Sequence, residues 1–362
     1  MIEIDDIRKP KEFQGVTFSN FKKSDAKKIW IESILESKIE ESCYWCLEFL
    51  CAGHYLDIWE IFFLVFSRYI HIRNPKCSIY IYMRYESFRN IITSNYIDRE
   101  LEMRNNNEIR KLYLEINCVL TLSNRSTVYS SIKVDKQDMN ILEMHDKLKS
   151  PSLHYSKDVL RKADAKELII CVNEFCYHIS ESSLQSYDAI YWLEWLFEYT
   201  AQCKRKKTKC IIEKREQITV HSSYQTDPIW LFWISIQKEC KKRCSLLHQK
   251  IIDNVLELFC IRYSDGVKRK RKYLIYFAIM MITEYSSISL EKKQIIENPS
   301  LLKIIMEKQD TIMKQIKKNE KPPKMNYLFK NIKETSKTKS MKKLQLLERS
   351  EEHTSELQSR QY

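Results

Sequence analysis

Two runs of cations are the residues best placed to do chemistry: Lys204-Arg205-Lys206-Lys207 with Lys209, and Lys268-Arg269-Lys270-Arg271-Lys272. Phosphate groups are their natural counterpart, because each contact with a polyanion releases condensed counterions. Five consecutive cations repel one another, so the second run calls for an external anion more strongly than the first. The same residues also read as two solvated loops at helix ends, where cations complement the helix dipole. Lys plus Arg number 61 against 48 Asp plus Glu, a formal net charge of +13 and a pI near 9.0. That balance favours anionic partners, DNA or RNA bound without sequence preference foremost; a lysine-rich solvated surface is its other meaning.

Other groupings are weaker. Tyr80, Tyr82, Arg84, Tyr85, Phe88 and Arg89 interleave rings and cations as a base-stacking surface would, but at the spacing of a packed helix face. Cys240, Cys244 and His248 recur every four residues and would line one face of a continuous helix, with Cys203 or Cys210 as a fourth zinc ligand. Zinc sites usually pair close cysteines on a turn instead. Cys43 and Cys46 form a C-x-x-C without the βαβ setting of redox pairs. Glu48 and Glu194 hold similar places in two aromatic helices and offer a paired-carboxylate reading, while His54 and His178 read as packed or solvated. A phosphate-cradling P-loop needs glycines before a Gly-Lys-Ser/Thr element. None of Gly15, Gly53 and Gly266 precedes one, which also removes a Rossmann turn. We expect no enzyme activity, no cofactor and no metal.

The elements that must position these residues are helical. Three Gly and seven Pro leave few turns in 362 residues. Ser24 is expected to cap a helix burying Ile29, Trp30, Ile34 and Leu35. Cys43, Cys46, Leu47 and Leu50 share a stripe of the next helix, which Gly53 ends in the left-handed region. Asp57 then caps a helix through Trp59, Phe62, Phe63, Phe66 and Ile70, and Asn74-Pro75 opens another as N-cap and first residue. Residues 78–92 continue as helix, as do 105–122. Asp164 with Glu167 makes a capping box. Further helices cover the segment around Tyr187–Leu196, one begun by Asp227-Pro228, and then 246–260, 271–285 and 299–318, with 210–221 the best candidate strand.

The order Tyr44-Trp45, Ala52-Gly53, an amphipathic helix, then Ser67, Ile70 and Asn74-Pro75 resembles the helical oligomerisation collar of RarA/Mgs-type ATPases, of the clamp-loader branch of AAA+ enzymes. The resemblance covers about residues 39–75; Arg68 and Tyr69 stand where that family usually has an acidic pair, and the ATPase core is missing. The Ile/Lys/Asn-heavy composition also resembles uncharacterised proteins of large DNA viruses. Tyr191-Trp192 echoes Tyr44-Trp45, which points either to an internal duplication or to convergence of two amphipathic helices.

The expected organisation is all-α. Residues 1–23 form a lead-in, 24–122 a first helical module, 123–163 a linker, 164–320 a second module and 321–348 a disordered basic tail. Residues 349–362 resemble translated sequencing adapter, which would leave the natural C-terminus missing. The twelve cysteines fall mostly in apolar helical patterns and are expected reduced and buried. No signal peptide is visible, and Ile61–Phe66 and Tyr273–Ile282 are far short of the ~20 residues a membrane span needs. A soluble intracellular protein follows, in host cytoplasm or a viral factory if viral. Its expected role is a non-catalytic accessory factor of DNA replication, repair or transcription, binding nucleic acid or a polymerase complex through the cationic runs, with homo-oligomerisation possible. The alternative is a helical protein–protein scaffold of a viral particle or factory.

Overall fold

The computed structural model describes residues 2–322 except 97–98, 129–131, 136, 140–143, 209, 289, 291–293 and 297, and the side chains of 94 and 95 also stand outside that set. The predicted basic tail beyond 322 and the adapter-like segment lie outside the described residues.

The described residues form an all-α protein whose only β pairing is an isolated bridge between Val16 and Lys22. The helices are α1 (Lys23–Leu35), α2 (Ile39–Cys51), α3 (Tyr55–Val65), α4 (Cys77–Asn95), α5 (Asn107–Leu122), α6 (Ile169–Ile179), α7 (Ser186–Arg205), α8 (Ile229–Arg243), α9 (Leu246–Cys260), α10 (Asp265–Lys270), α11 (Lys272–Thr283), α12 (Pro299–Glu307) and α13 (Gln309–Lys317). A π-helical turn, Phe66–Ile70, continues α3. Residues 9–319, together with the first four, make one compact unit. Within it, helices from both sides of 123–163 lie in direct contact, α4 on α9 and α11 on the π-turn. A second unit joins Asp5–Arg8 to Glu320, Lys321 and Pro322; there Arg8 pairs with Asp6 at 2.6 Å and the Lys321 amide donates to Asp6.

Sequence periodicity explains the core of the large unit. The α2 stripe of Cys43, Cys46, Leu47 and Leu50 is fully buried against α5. Buried Asn117 of α5 ties three helices together, accepting from Trp30 Nε1 and donating to Ser42 Oγ, so the polar group is satisfied where water is absent. Trp59 is ringed by Phe62, Tyr85, Phe88 and Tyr113 at centroid distances of 5.2–5.9 Å. Trp192, Trp195, Trp230 and Trp233 are likewise buried. All twelve cysteines are free, and only Cys210 is partly exposed.

Caps account for most departures from expectation. Gly53 does end α2, at φ 78°, with its amide bonded to Leu50 O and the His54 amide to Phe49 O. Ser24, however, lies inside α1 and bonds Asp25, while Ile29 is exposed and Leu35 half-buried. Asp57 sits within the first turn of α3 and takes Lys23 at 2.9 Å. Asn74-Pro75 forms a turn one step before α4, and Asn74 Nδ2 donates to Ile295 O instead of capping. Asp164 makes no capping box; it pairs with Arg215 at 2.6 Å, both side chains 1 % exposed. That pair pins 210–221 as an irregular loop, with Ile212 and Ile218 buried, and not as a strand. The expected 299–318 helix breaks at Lys308 into α12 and α13.

Candidate nucleic-acid interface

The first cationic run closes α7. Lys204 and Arg205 are its last residues, Lys206 is the C-cap and Lys207 follows at φ 56°. The Lys207 amide bonds Lys204 O and the Thr208 amide bonds Cys203 O, the same termination that Gly53 makes after α2. An L-residue in that left-handed position is strained by about 1 kcal/mol relative to glycine. All four cations are exposed, and Lys209 lies outside the described residues.

The second run ends α10 and begins α11, so Lys268, Arg269 and Lys270 belong to one short helix and Lys272 to the next. These helices run beside the C-terminal half of α7 and join it by three rungs. Lys204 Nζ donates to Asp265 at 2.5 Å. Arg205 donates to Glu198 at 2.6 Å, and Arg269 stands 3.9 Å from the other oxygen of that carboxylate while donating to Phe197 O. Lys272 Nζ donates to Glu194 at 2.7 Å, and the Tyr276 hydroxyl donates to the same oxygen. The two runs are thus brought side by side.

Lys268 and Arg271 turn inward. Lys268 is buried and pairs with Asp227 at 2.6 Å, both side chains 8 % exposed. Arg271 pairs with Glu60 at 2.5 Å, donates to the carbonyls of Leu258, Phe259 and Ile261, and lies 5.2 Å from the Phe63 ring. The expectation that five adjacent cations require an external anion is therefore corrected: Asp227, Glu198, Glu60 and Glu194 serve four of them from within. Lys206, Lys207 and Lys270 are exposed and make no ion pair among the described residues.

Electrostatics follow this pairing. The Lys204 ammonium holds Asp265 below the usual carboxylate range. Burial, and then Asp227, pushes the Tyr263 phenol far up; burial and Glu194 do the same to Tyr276, so both phenols remain hydrogen-bond donors. Two clefts flank the ladder. One of about 380 Å³ is lined by Lys133, Asp135, Glu194, Glu198, Arg269 and Lys272. The other, about 280 Å³, includes Cys203, Lys204, Cys210, Asp227, Asp265 and Lys268. Burial, then Cys203, pushes the Cys210 thiol up to about 12.

The other groupings are structural where the side chains are described. Tyr80 and Arg84 both bond Glu115, Phe88 is buried against Trp59, and Arg89 pairs with Glu86. The Cys240–Cys244–His248 line is broken, because α8 ends at Arg243, Cys244 is extended, and His248 Nδ1 meets Ser245 Oγ. Cys43 and Cys46 sit inside α2, Cys43 facing Cys118 at 3.5 Å. Glu48 is fully buried and accepts from Thr17 and the Ser19 amide, partners unrelated to those of Glu194.

Sequence reasoning missed Glu198, Asp265 and Glu60. A signal existed for the first: Glu194 and Glu198 are four apart on α7, and Arg269 and Lys272 are three apart on the facing segment, spacings that let two helices pair charges. Glu60 lies 211 residues from Arg271 and carried none. No helix among the described residues is long and apolar enough to cross a membrane. Compared with known protein families, curated proteins and solved structures, the chain matches none.

Proposed function

We propose that the protein is a non-catalytic nucleic-acid-binding factor whose contact surface is the junction of α7 with α10. The reading is carried by one observation: the Asp265 and Glu198 rungs join the two runs, while Lys206, Lys207 and Lys270 stay exposed beside them, without an ion pair among the described residues. Lys207 adds support, because it keeps a cation where glycine would relieve strain. Such a surface neutralises backbone phosphates and reads no base edges, so binding is independent of sequence. An accessory role in replication, repair or transcription, inside the cell, is the setting this chemistry suits. Collar-like helical modules related by duplication would supply the scaffold. In their favour, Tyr44 meets Trp45 edge-on at 5.3 Å and Tyr191 meets Trp192 edge-on at 5.5 Å.

A protein–protein scaffold is the second reading, favoured by the internal carboxylates that hold Lys268, Arg271 and Lys272. Fluorescence anisotropy with single- and double-stranded DNA and RNA, over a range of salt, separates the two. Nucleic-acid binding should weaken steeply with salt and be lost in a Lys206→Ser, Lys207→Ser, Lys270→Ser variant. No binding at low salt would reject the proposal in favour of the scaffold.

A further inference from the structure

Arg68 is held differently from several other interior cations. Arg271, Lys268 and Arg215 each hold a carboxylate, and Arg110 donates to carbonyls and Asn105. Arg68 is half-buried, its Nε is buried without a hydrogen-bond partner, and it makes no ion pair among the described residues. Two rings hold its guanidinium: the carbon lies 4.8 Å from the Tyr273 centroid and 5.3 Å from that of Tyr69. A charged donor left unpaired in such a place is costly and calls for an explanation.

The surroundings supply one. Arg68 projects from the π-helical turn Phe66–Ile70, an irregularity that recurs at functional positions. The Lys272 ammonium lies 5.6 Å from the same Tyr273 ring, and the Tyr276 ring meets that ring edge-on at 5.2 Å. Two cations and a phenol thus gather around Tyr273, with Glu194 accepting from Lys272 and Tyr276. Lys272 also lines the 380 Å³ cleft, where Lys133 and Arg269 stand among Asp135, Glu194 and Glu198.

The geometry points to Arg68 as an anion-binding residue that takes the oxygens of a phosphate group, with Lys272 as the second cation. The guanidinium fork matches two phosphate oxygens, and its tyrosine faces fix its plane before the ligand arrives. This inference rests on the nucleic-acid reading only for the source of the phosphate. A free phosphate and a strand phosphate share the chemistry.

The full chain is titrated with inorganic phosphate, with acetate and with a single-stranded oligonucleotide, by calorimetry and thermal unfolding. Phosphate is expected to bind and raise the unfolding temperature of the wild type, with acetate weaker. Arg68→Gln should lose about tenfold or more in phosphate affinity, the loss of a charge-assisted pair. Should Arg68→Gln fail to fold, Arg68→Lys decides, since it keeps the charge but lacks Nε and the fork; it too should weaken phosphate. Undiminished phosphate binding in the variant that folds, no phosphate binding by the wild type, or acetate binding as tightly as phosphate would each overturn the inference. Phosphate binding that Arg68→Gln loses, without oligonucleotide binding by any form, would support Arg68 and reject the nucleic-acid reading. The Lys206→Ser, Lys207→Ser, Lys270→Ser variant should lose the oligonucleotide and keep phosphate; loss of both would place phosphate on those lysines and overturn the role of Arg68.

Discussion

The two cationic runs look interchangeable as strings of letters, yet the fold treats them in opposite ways. Lys204–Lys207 leaves the end of α7 and points into solvent, its members exposed even where Lys204 and Arg205 find carboxylates. Lys268–Lys272 crosses a junction between two helices, where Lys268 and Arg271 are buried on internal anions. The helix ends differ in the same sense. Gly53 and Lys207 make the same termination, one with the residue that fits it and one with a strained cation. The role of a charge run is therefore set by the carboxylates the rest of the chain brings to it, and less by its own repulsion.

That contrast can be broken most sharply at Arg271. Arg271→Ala strands Glu60 and three carbonyls, and should lower unfolding free energy by about 3–5 kcal/mol in denaturant titrations. A loss under about 1 kcal/mol would mean the second run is as solvated as the first. Lys268→Ala should lose about 3 kcal/mol, and a double-mutant cycle with Asp227→Asn should show coupling of about 1 kcal/mol or more. Additive effects in that cycle would dissolve the buried pair.

On the exposed side, effects shrink or change sign. Lys207→Gly should raise stability by about 1 kcal/mol while weakening oligonucleotide binding. A stability gain with unchanged binding would remove Lys207 from the interface. Lys204→Ala should lose under about 1 kcal/mol, and less at high salt, because the pair with Asp265 is exposed. The Asp265 pKa is lowered in the fold, so this contribution is present above the ordinary carboxylate value of 3.8 and disappears as pH falls through the lower folded value. Wild type and Lys204→Ala should converge in stability under acid, and a constant gap would contradict the pairing. Lys206→Ser and Lys270→Ser should each alter stability by less than about 0.5 kcal/mol. The salt slope of single-strand binding should fall by roughly 0.7 for each phosphate contact removed.

Much of the helical frame was legible. The bounds of α9 agree with the reading of 246–260, and Gly53 terminates α2 as its residue type implies. Both rest on local physics: periodic apolar burial and the freedom of glycine at positive φ. Caps were legible only in part. Asp227-Pro228 does begin α8, with Pro228 as its N-cap and Asp227 Oδ1 accepting from the Ile229 amide, but Asp164 was drawn instead to Arg215, 51 residues away. A short acidic side chain next to a helix start serves equally as cap or counterion, and burial of the arginine decides which.

At the candidate interface, the cations were visible and their partners were not. Composition and periodicity by themselves determined that the chain is helical, basic and thiol-rich in its core, because those properties come from residue type and spacing within a turn or two. Only the tertiary structure decided that Lys206, Lys207 and Lys270 face solvent while Lys268 and Arg271 do not, and that Arg68 stands beside Tyr273 without a carboxylate partner among the described residues. Electrostatic partners act through space over a few ångströms, and the chain brings such partners together from positions as distant as 60 and 271.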